Sequence, residues 1–131
     1  MKHVNVVSAI IINDGKILCV QRDVNEYTYI SMKYEFPGGK VEPGESRRNA
    51  LAREVKEELG LDIQIQDEFL TVEHIYPDFE ITMYSFICSC ENNALTLSVH
   101  IDYKWLYAHE LRSKDWAAAD VPIVEKLINC T

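Results

Sequence analysis

Three glutamates, Glu54, Glu57 and Glu58, are spaced so that one side of a helix could carry all of them. At ~100° per residue they fall within an arc of roughly 100°. Glu54 and Glu58 are one helical turn apart, and like charges at that spacing repel each other. A hard cation bound between them would offset the repulsion, and oxygen-only ligand sets suit magnesium or manganese. The spacing therefore indicates a site for Mg²⁺ or Mn²⁺, ions that activate water and neutralise phosphate oxygens.

The segment that carries these glutamates has the start and stop signals of a helix. Ser46 follows a Pro-Gly-Glu turn and is predicted to be the N-cap, and Gly60 is predicted to close the helix near residue 59. Apolar residues recur at every fourth position and predict a buried stripe: Leu51, Val55 and Leu59. The glutamates flank this stripe, at the edge of the core. The alternative interpretation is a solvated charged face on which Arg53 and Glu57 form an i,i+4 pair.

The chain has 131 residues, of which 47% are apolar, and this size and composition predict one globular domain over residues 1–131. No apolar run approaches the ~20 residues of a membrane span. The N-terminus begins directly with a strand-like pattern and carries no signal-peptide layout, so we expect a cytoplasmic protein.

Net charge and cysteine spacing exclude two classes of site. A net charge of −8 argues against binding a nucleic acid polymer through a basic patch, although cations could still bridge the chain to a small polyphosphate. No Cys-x-x-Cys pair is present, which argues against a zinc site. In a reducing cytoplasm we expect buried free thiols at all four cysteines: Cys19, Cys88, Cys90 and Cys130.

Hydrophobic patterning predicts more strands than helices. Strand-like patterns cover residues 4–12, 16–21, 34–36, 61–76 and 79–90, with one or two further strands in 95–107. Helical patterns cover the glutamate segment, residues 108–111 and residues 121–129. Two hairpin turns are predicted, at Asn-Asp-Gly in residues 13–15 and at Glu-Asn-Asn in residues 91–93, and residues 23–33 are predicted to be a loop near the active site. The pattern alone indicates an α+β fold.

The glutamate segment resembles the signature of the Nudix hydrolases, the Nudix box. That signature is Gly, five residues, Glu, seven residues, Arg-Glu, an aliphatic, any residue, Glu-Glu, any residue, Gly and an aliphatic. The matching positions are Gly39, Glu45, Arg53, Glu54, Val55, Glu57, Glu58, Gly60 and Leu61. Residues 35–40 and 119–122 resemble the branch that contains MutT and CTP pyrophosphohydrolase. The resemblance extends over most of the chain and implies a mixed sheet sandwiched between helices (α/β/α).

The resemblance also implies roles for residues of the box and its loop. Metal coordination is expected from Glu54, Glu57, Glu58 and the main-chain carbonyl of Gly38. Glu54 and Glu57 are the candidate catalytic residues, with Glu54 as the base or the water-orienting group. Structural roles are expected for Gly39, which allows a turn and a close backbone approach, and for Glu45, which braces the loop against the helix through Arg53.

Four residues are candidates for substrate binding. Arg22 and Lys40 are expected to contact phosphates, although either could be an ordinary surface cation. Tyr76 lies where MutT-like proteins place an aromatic beside the nucleobase, and its alternative role is that of a core or hairpin aromatic. Asp120 lies where they read the base edge, and its alternative role is N-cap of the last helix. An Asp accepts from a base N–H or donates when protonated, which leaves room for cytosine or altered adenine as well as oxidised guanine.

One position departs from the pattern of similar proteins. They often carry an acidic residue six positions before the Trp that matches Trp105, where this chain has Val99. The nearest polar neighbours are His100 and Asp102. The role of that acid could pass wholly to the helix glutamates, or a loop shift could bring His100 in. A single His in a strand is more often structural, so His100 is expected to lie outside the site.

The resemblance to the Nudix hydrolases implies an enzyme that hydrolyses a nucleoside or deoxynucleoside triphosphate, with Mg²⁺ or Mn²⁺, to the monophosphate and pyrophosphate. The resemblance suggests removal of damaged nucleotides such as 8-oxo-dGTP, or hydrolysis of CTP-like nucleotides, by a monomer or homodimer. A second hypothesis is a hydrolase of nucleotide sugars or dinucleoside polyphosphates. A third is a non-catalytic Nudix-fold binding module, which would not require the complete glutamate set.

Overall fold

The computed structural model describes residues 1–130, which form seven strands and two α-helices. The strands are β1 (Lys2–Asn13), β2 (Lys16–Arg22), β3 (Tyr34–Glu35), β4 (Gly38–Lys40), β5 (Gln64–Ile75), β6 (Phe79–Ser89) and β7 (His100–Leu106). The α-helices are α1 (Arg47–Leu59) and α2 (Val121–Asn129), and 3₁₀ turns cover Ala108–Ser113 and Ala118–Asp120. Residues 23–33 form the predicted loop.

The first hairpin is the one predicted from Asn-Asp-Gly. Asp14 and Gly15 both have positive φ, 52° and 76°, which is the backbone that a two-residue hairpin turn requires. Beyond the turn, β1 and β2 pair at only two positions, Ile12 with Ile17 and Asn13 with Lys16. The two strands then diverge.

The segment from β3 to β4 fills the space between the diverging strands. β3 pairs with β2 at Val20 and Gln21, on the same edge of β2 that faces β1 at the hairpin. β4 pairs with residues 6–8 of β1, and the amide of Ala9 donates to the carbonyl of Pro37. Residues 34–40 are therefore held on both sides, which places the two glycines of the loop at a fixed point in the middle of the sheet.

The sheet is mixed and has a packed layer on each face. β1 and β6 run parallel, and the other strand pairs are antiparallel. Alternate residues of β1 point to opposite faces, as the two-residue period of a strand requires. Val7, Ala9 and Ile11 pack in the layer of α1, and Ile10 packs in the layer of α2. The predicted α+β class and helix–sheet–helix layering are confirmed.

The ends of α1 are also those predicted. The side chain of Ser46 accepts a hydrogen bond from the amide of Asn49, and Gly60 adopts the left-handed conformation at φ 69°. The stripe of Leu51, Val55 and Leu59 is fully buried. The helix is thus anchored by its apolar face and closed at both ends, which holds its glutamates in register with the loop.

The second predicted hairpin, at residues 91–93, is wrong. β6 already has β1 on one edge and β5 on the other, so no edge is left for the following strand. The chain instead crosses the molecule to pair β7 with the free edge of β2. Residues 95–99 are not a strand, and the amide of Thr96 donates to the carbonyl of Leu59 at the end of α1.

The cysteines are free, and three of the four are buried: Cys19, Cys88 and Cys90. Cys130 is exposed, which corrects the prediction that it is buried. Within residues 1–130, neither helix combines the length and the apolar character that crossing a membrane requires.

Candidate active site

A cavity of about 420 Å³ opens beside residues 34–40, which lie between the diverging strands β1 and β2. All four residues predicted to bind substrate line it: Arg22, Lys40, Tyr76 and Asp120. Gly38 and Gly39 line it as well. The rest of the wall is largely aromatic and aliphatic and includes Tyr27, Ile30, Phe36, Phe79 and Met83. A cavity with apolar walls and a few polar groups is typical of a small-molecule site.

Tyr76 belongs to both the core and the cavity wall, so its two predicted roles are compatible. The ring is 5% exposed and stacks on Tyr29 with ring centroids 5.2 Å apart. Its hydroxyl accepts a hydrogen bond from the amide of Ala119. The hydroxyl of Tyr29 donates to Asp78 at 2.7 Å, which ties loop 23–33 to the turn between β5 and β6. The sequence analysis missed Tyr29, since a loop without periodicity gives no sign of which side chains turn inward.

Asp120 does not cap α2, which corrects the alternative role considered for it. A 3₁₀ turn leads directly into α2, so the backbone of Asp120 is already helical, at φ −85° and ψ −17°, whereas an N-cap is extended. Its Oδ1 accepts instead from the amide of Phe36 at 3.1 Å. Burial, with the Glu35 carboxylate nearby, raises the pKa of Asp120 well above its usual range. A buried carboxyl is thereby presented to the cavity.

The structure brings two of the three glutamates together. The side chains of Glu54 and Glu58 are only 16% and 15% exposed, whereas that of Glu57 is 59% exposed and pairs with Arg53 at 3.3 Å. A Cβ added to Gly39 would lie 2.4 Å from the carboxyl carbon of Glu54, so only glycine lets the loop approach this carboxylate. Burial, together with the Glu35 and Glu54 carboxylates, raises the pKa of Glu58 to about 8.

Arg53 joins the helix to the loop. Its guanidinium donates to both carboxylate oxygens of Glu45, at 2.7 and 3.0 Å, and to the carbonyl of Lys40 at 3.1 Å. It also donates to Glu54 at 3.0 Å. The contact predicted between Glu45 and Arg53 is present, and a bidentate pair of this kind fixes geometry as well as charge. The position of Glu54 is therefore set by the same group that holds the loop.

Two further polar residues, for which no role in the site was predicted, belong to this region: Glu35 lines the cavity, and His100 lies beside Glu35. Glu35 accepts from Arg22 at 3.1 Å and from the Nε2–H of His100 at 3.0 Å. The side chain of His100 is 2% exposed, and Nε2 lies 3.8 Å from Glu58. His100 was expected to lie outside the site, and the structure places its ring beside Glu35 and Glu58. A bulge between Gln21 and Arg22 shifts the register of β7 and turns His100 inward, and sequence patterning does not reveal a bulge.

The structure also shows the surroundings of Val99, which departs from the family pattern, and of Asp102, which was considered as a replacement for the missing acid. Val99 is 57% exposed. Asp102 accepts a hydrogen bond from the hydroxyl of Tyr34 at 2.7 Å, and this bond lowers the pKa of Asp102. Asp102 is thus engaged on β7, away from the glutamates.

The family model for the NUDIX domain matches residues 1–127. The chain belongs to the Nudix family. This confirms the resemblance seen in the box, and relatives named as a pyrophosphohydrolase and a diphosphatase indicate a hydrolase.

Two curated Nudix proteins and one solved structure show how far the likeness extends. The chain is 34% identical over 125 residues to the CTP pyrophosphohydrolase of Escherichia coli K12, covering 95% of this chain and 91% of that protein. It is 28% identical over 127 residues to the 8-oxo-dGTP diphosphatase of the same organism, covering 97% and 98%. The solution structure of MutT from methicillin-resistant Staphylococcus aureus 252 superposes with a TM-score of 0.77 at 38% identity, covering 100% of both chains.

The carboxylate oxygens of this Nudix box suit a divalent cation, although the side chains do not all converge on one point. Within residues 1–130, no three His, Cys, Asp or Glu side chains converge tightly enough to define a metal site. The buried Oε1 of Glu58 has no hydrogen-bond partner among these residues, and the neighbouring side chains of Glu54 and Glu35 also end in carboxylates. Crowded carboxylate oxygens with an unsatisfied acceptor fit Mg²⁺ or Mn²⁺.

We expect the metal-free protein to lose stability as pH rises from about 4.5 to about 8. Folded Glu58 holds its proton to about pH 8, whereas the ordinary pKa is 4.5, so the folded state binds more protons across this window. The Glu58→Gln variant removes this proton and should show a flatter dependence. At the upper pH it should be more stable than the wild type by about 1 to 3 kcal/mol, part of the full linkage at 1.36 kcal/mol per pKa unit.

Urea unfolding in EDTA at several pH values measures this difference. Asp120 contributes in the same direction, but it is present in both proteins and cancels in the comparison. Glu73→Gln, on the exposed face of β5, is the control and should follow the wild type. Parallel curves for the wild type and Glu58→Gln would show that Glu58 is ionised normally.

Proposed function

We propose that this protein is a metal-dependent nucleoside triphosphate pyrophosphohydrolase that converts a nucleoside or deoxynucleoside triphosphate and water to the monophosphate and pyrophosphate. The observation that carries the proposal is the arrangement of the cavity. A buried carboxyl, Asp120, and the ring of Tyr76 lie in an apolar wall, while Arg22 and Lys40 line the same cavity. The loop of Gly38 and Gly39 connects it to the glutamate helix. An apolar end suits a base, and cations beside carboxylates suit a polyphosphate.

Each group at the phosphate end has a proposed task. Glu54, Glu57, Glu58 and the main-chain carbonyl of Gly38 would hold the cation. Mg²⁺, or Mn²⁺ as the alternative, would neutralise phosphate oxygens and lower the pKa of water when bound. Glu54 takes the proton from water, or orients it, because its carboxylate lies against the glycine loop that lines the cavity. Arg22 and Lys40 donate to phosphate oxygens.

Asp120 and Tyr76 are proposed to select the base. One oxygen of Asp120 is occupied by the amide of Phe36, which leaves the other to meet a base edge. A protonated Asp120 donates to a base acceptor, and an ionised one accepts from a base N–H. Related enzymes bear the names CTP pyrophosphohydrolase and 8-oxo-dGTP diphosphatase. We therefore propose CTP-like nucleotides or 8-oxo-dGTP as substrates, and removal of damaged nucleotides as the role.

A pyrophosphate-release screen over normal and oxidised nucleoside triphosphates tests the proposal. Each substrate is incubated with Mg²⁺, Mn²⁺ or EDTA, and nucleotide products are separated to distinguish monophosphate from diphosphate. Metal-dependent release of pyrophosphate with monophosphate is the expected result. Turnover confined to nucleotide sugars or dinucleoside polyphosphates would support the second hypothesis, and no turnover of any of them would support a binding module.

We expect Asp120→Asn to change the ranking of substrates while leaving the fold intact. Asn keeps the oxygen that accepts from the amide of Phe36 but adds an amide donor in the cavity. One altered hydrogen bond in a buried site is worth about 1–3 kcal/mol, so ratios of kcat/KM should change by roughly 5- to 150-fold.

Steady-state kinetics of the wild type and Asp120→Asn on 8-oxo-dGTP, CTP and 2-hydroxy-dATP measure those ratios. Lys126→Gln on α2 is a control that lies away from the cavity wall and should leave the ranking unchanged. Ratios within about twofold of the wild type, below the range expected for one hydrogen bond, would remove Asp120 from base selection.

A further inference from the structure

The carbonyl groups that end α1 are satisfied from outside the helix. A helix leaves its last four carbonyls without partners of its own, here those of residues 56–59. Gly60 donates to the first of these, and the amide of Thr96 donates to the carbonyl of Leu59 at 3.0 Å. Ser98 supplies the other two. Its amide lies 3.3 Å from the carbonyl of Glu58, and its hydroxyl lies 3.0 Å from that carbonyl and 3.3 Å from the carbonyl of Glu57.

Ser98 therefore holds the backbone of two proposed metal ligands. No other side chain within residues 1–130 donates to the carbonyl of Glu57 or Glu58 in the structure. Ser98 is exposed, and it lies in the extended segment that crosses from β6 to β7.

Two residues further on, the side chain of His100 lies near the carboxylate of one of these ligands, Glu58. Its ring is 2% exposed, donates to Glu35 at 3.0 Å and lies 3.8 Å from Glu58. Glu35 is also held by Arg22, so its carboxylate is fixed between two donors. Glu35, one of the carboxylates whose charge raises the pKa of Glu58, is thus kept in one place by His100.

We propose that Ser98 and His100 form a clamp that positions the Glu58 carboxylate for metal binding, an inference that rests on the metal-binding role proposed above for Glu58. Ser98 fixes the backbone of Glu57 and Glu58. His100 fixes the carboxylate that faces Glu58. Both residues take their position from the pairing of β7 with β2, in which His100 lies opposite Arg22. The sheet thereby sets the geometry of a ligand that belongs to the helix.

Groups that orient the ligands of a metal typically change its affinity by 10- to 100-fold when they are lost. The His100→Leu variant should therefore bind Mn²⁺ about 10- to 100-fold more weakly than the wild type. His100→Gln keeps a donor at the position of Nε2 and should stay within about threefold of the wild type, since the hydrogen bond to Glu35 is retained. Ser98→Ala loses one hydroxyl donor and should weaken binding about fivefold, the effect of one ordinary hydrogen bond.

Mn²⁺ binding to the nucleotide-free protein, followed by electron paramagnetic resonance of free Mn²⁺, measures these affinities without reference to turnover. Val99→Ala is the matched control, because its side chain is 57% exposed between the two clamp residues. It should bind Mn²⁺ as the wild type does. Thermal unfolding in EDTA identifies any variant that fails to fold. If His100→Leu does not fold, Ser98→Ala still decides the question, because Ser98 is on the surface.

A second measurement separates positioning from general damage. The Mg²⁺ concentration for half-maximal turnover should rise in His100→Leu and Ser98→Ala, while KM for the nucleotide at saturating Mg²⁺ should not change. Wild-type affinity for Mn²⁺ in both variants would overturn the clamp and leave the proposed function intact. Failure of the wild type itself to bind Mn²⁺ or to require a metal would overturn the metal site, and the clamp with it.

Discussion

We expect Glu54→Gln and Glu57→Gln each to lower kcat by at least about 100-fold, the loss typical of a general base or a charge-stabilising group. Both substitutions remove a charge and keep the size of the side chain. The two residues differ in their surroundings, because Glu54 is buried against the glycine loop and Glu57 is exposed beside Arg53. A large loss at Glu57 is therefore informative, since an exposed glutamate has little structural role.

Steady-state turnover across a range of Mg²⁺ concentrations measures the effect, and circular dichroism checks the fold. Glu73→Gln, a substitution of the same kind on the exposed face of β5, should keep wild-type turnover. Near-normal turnover of both variants at saturating Mg²⁺ would exclude the glutamate helix as the metal-binding element.

Gly38→Ala and Gly39→Ala are expected to fail for different reasons. A Cβ on Gly38 would lie 1.9 Å from the carbonyl oxygen of Val7, so the backbone of β1 or β4 would have to move. We expect a loss of at least about 3 kcal/mol in the free energy of unfolding, at the upper end for overpacking. A Cβ on Gly39 would meet only the end of the Glu54 side chain, which can swing away. That variant should fold but lose at least about 100-fold in kcat, as for loss of Glu54 itself.

Urea unfolding and turnover, measured on both variants, separate the two cases. Gly44→Ala is the control for backbone strain alone, because Gly44 has φ 79° and no atom lies within 4 Å of an added Cβ. It should lose about 1–2 kcal/mol, the cost of the left-handed conformation. A Gly38→Ala protein as stable as Gly44→Ala, or a Gly39→Ala protein with wild-type kcat, would contradict the geometry described here.

Local signals were enough to predict much of this fold. The Asn-Asp-Gly turn, Ser46 and Gly60 each act through a few neighbouring residues, and the structure has all three features as predicted. The hairpin predicted at residues 91–93 is wrong because strand pairing depends on which sheet edges are free, and both edges of β6 are already paired. A turn signal describes the bend of a chain but not the strand that it meets.

The residues of the candidate site also divide into those that local sequence identifies and those that depend on the rest of the fold. The members of the box could be identified because they share one helix and one loop. His100 could not, because a bulge at Ile101, the next residue of its own strand, decides which way it points. Asp120 was identified as a candidate, but its competing role as a cap depended on backbone angles set by the preceding 3₁₀ turn.

The two packed layers of the sheet have a consequence for how this protein could change over evolutionary time. The apolar residues that line the cavity, such as Phe36, Tyr76 and Met83, belong to the layer of α2. The buried stripe of α1 belongs to the other layer. Mutations that reshape the cavity for a new nucleobase can therefore accumulate without disturbing the packing that holds the glutamates. Residues 35–40 run from the cavity wall to the glutamate helix and belong to both halves of the site, and that short segment is where we expect the strongest constraint on divergence.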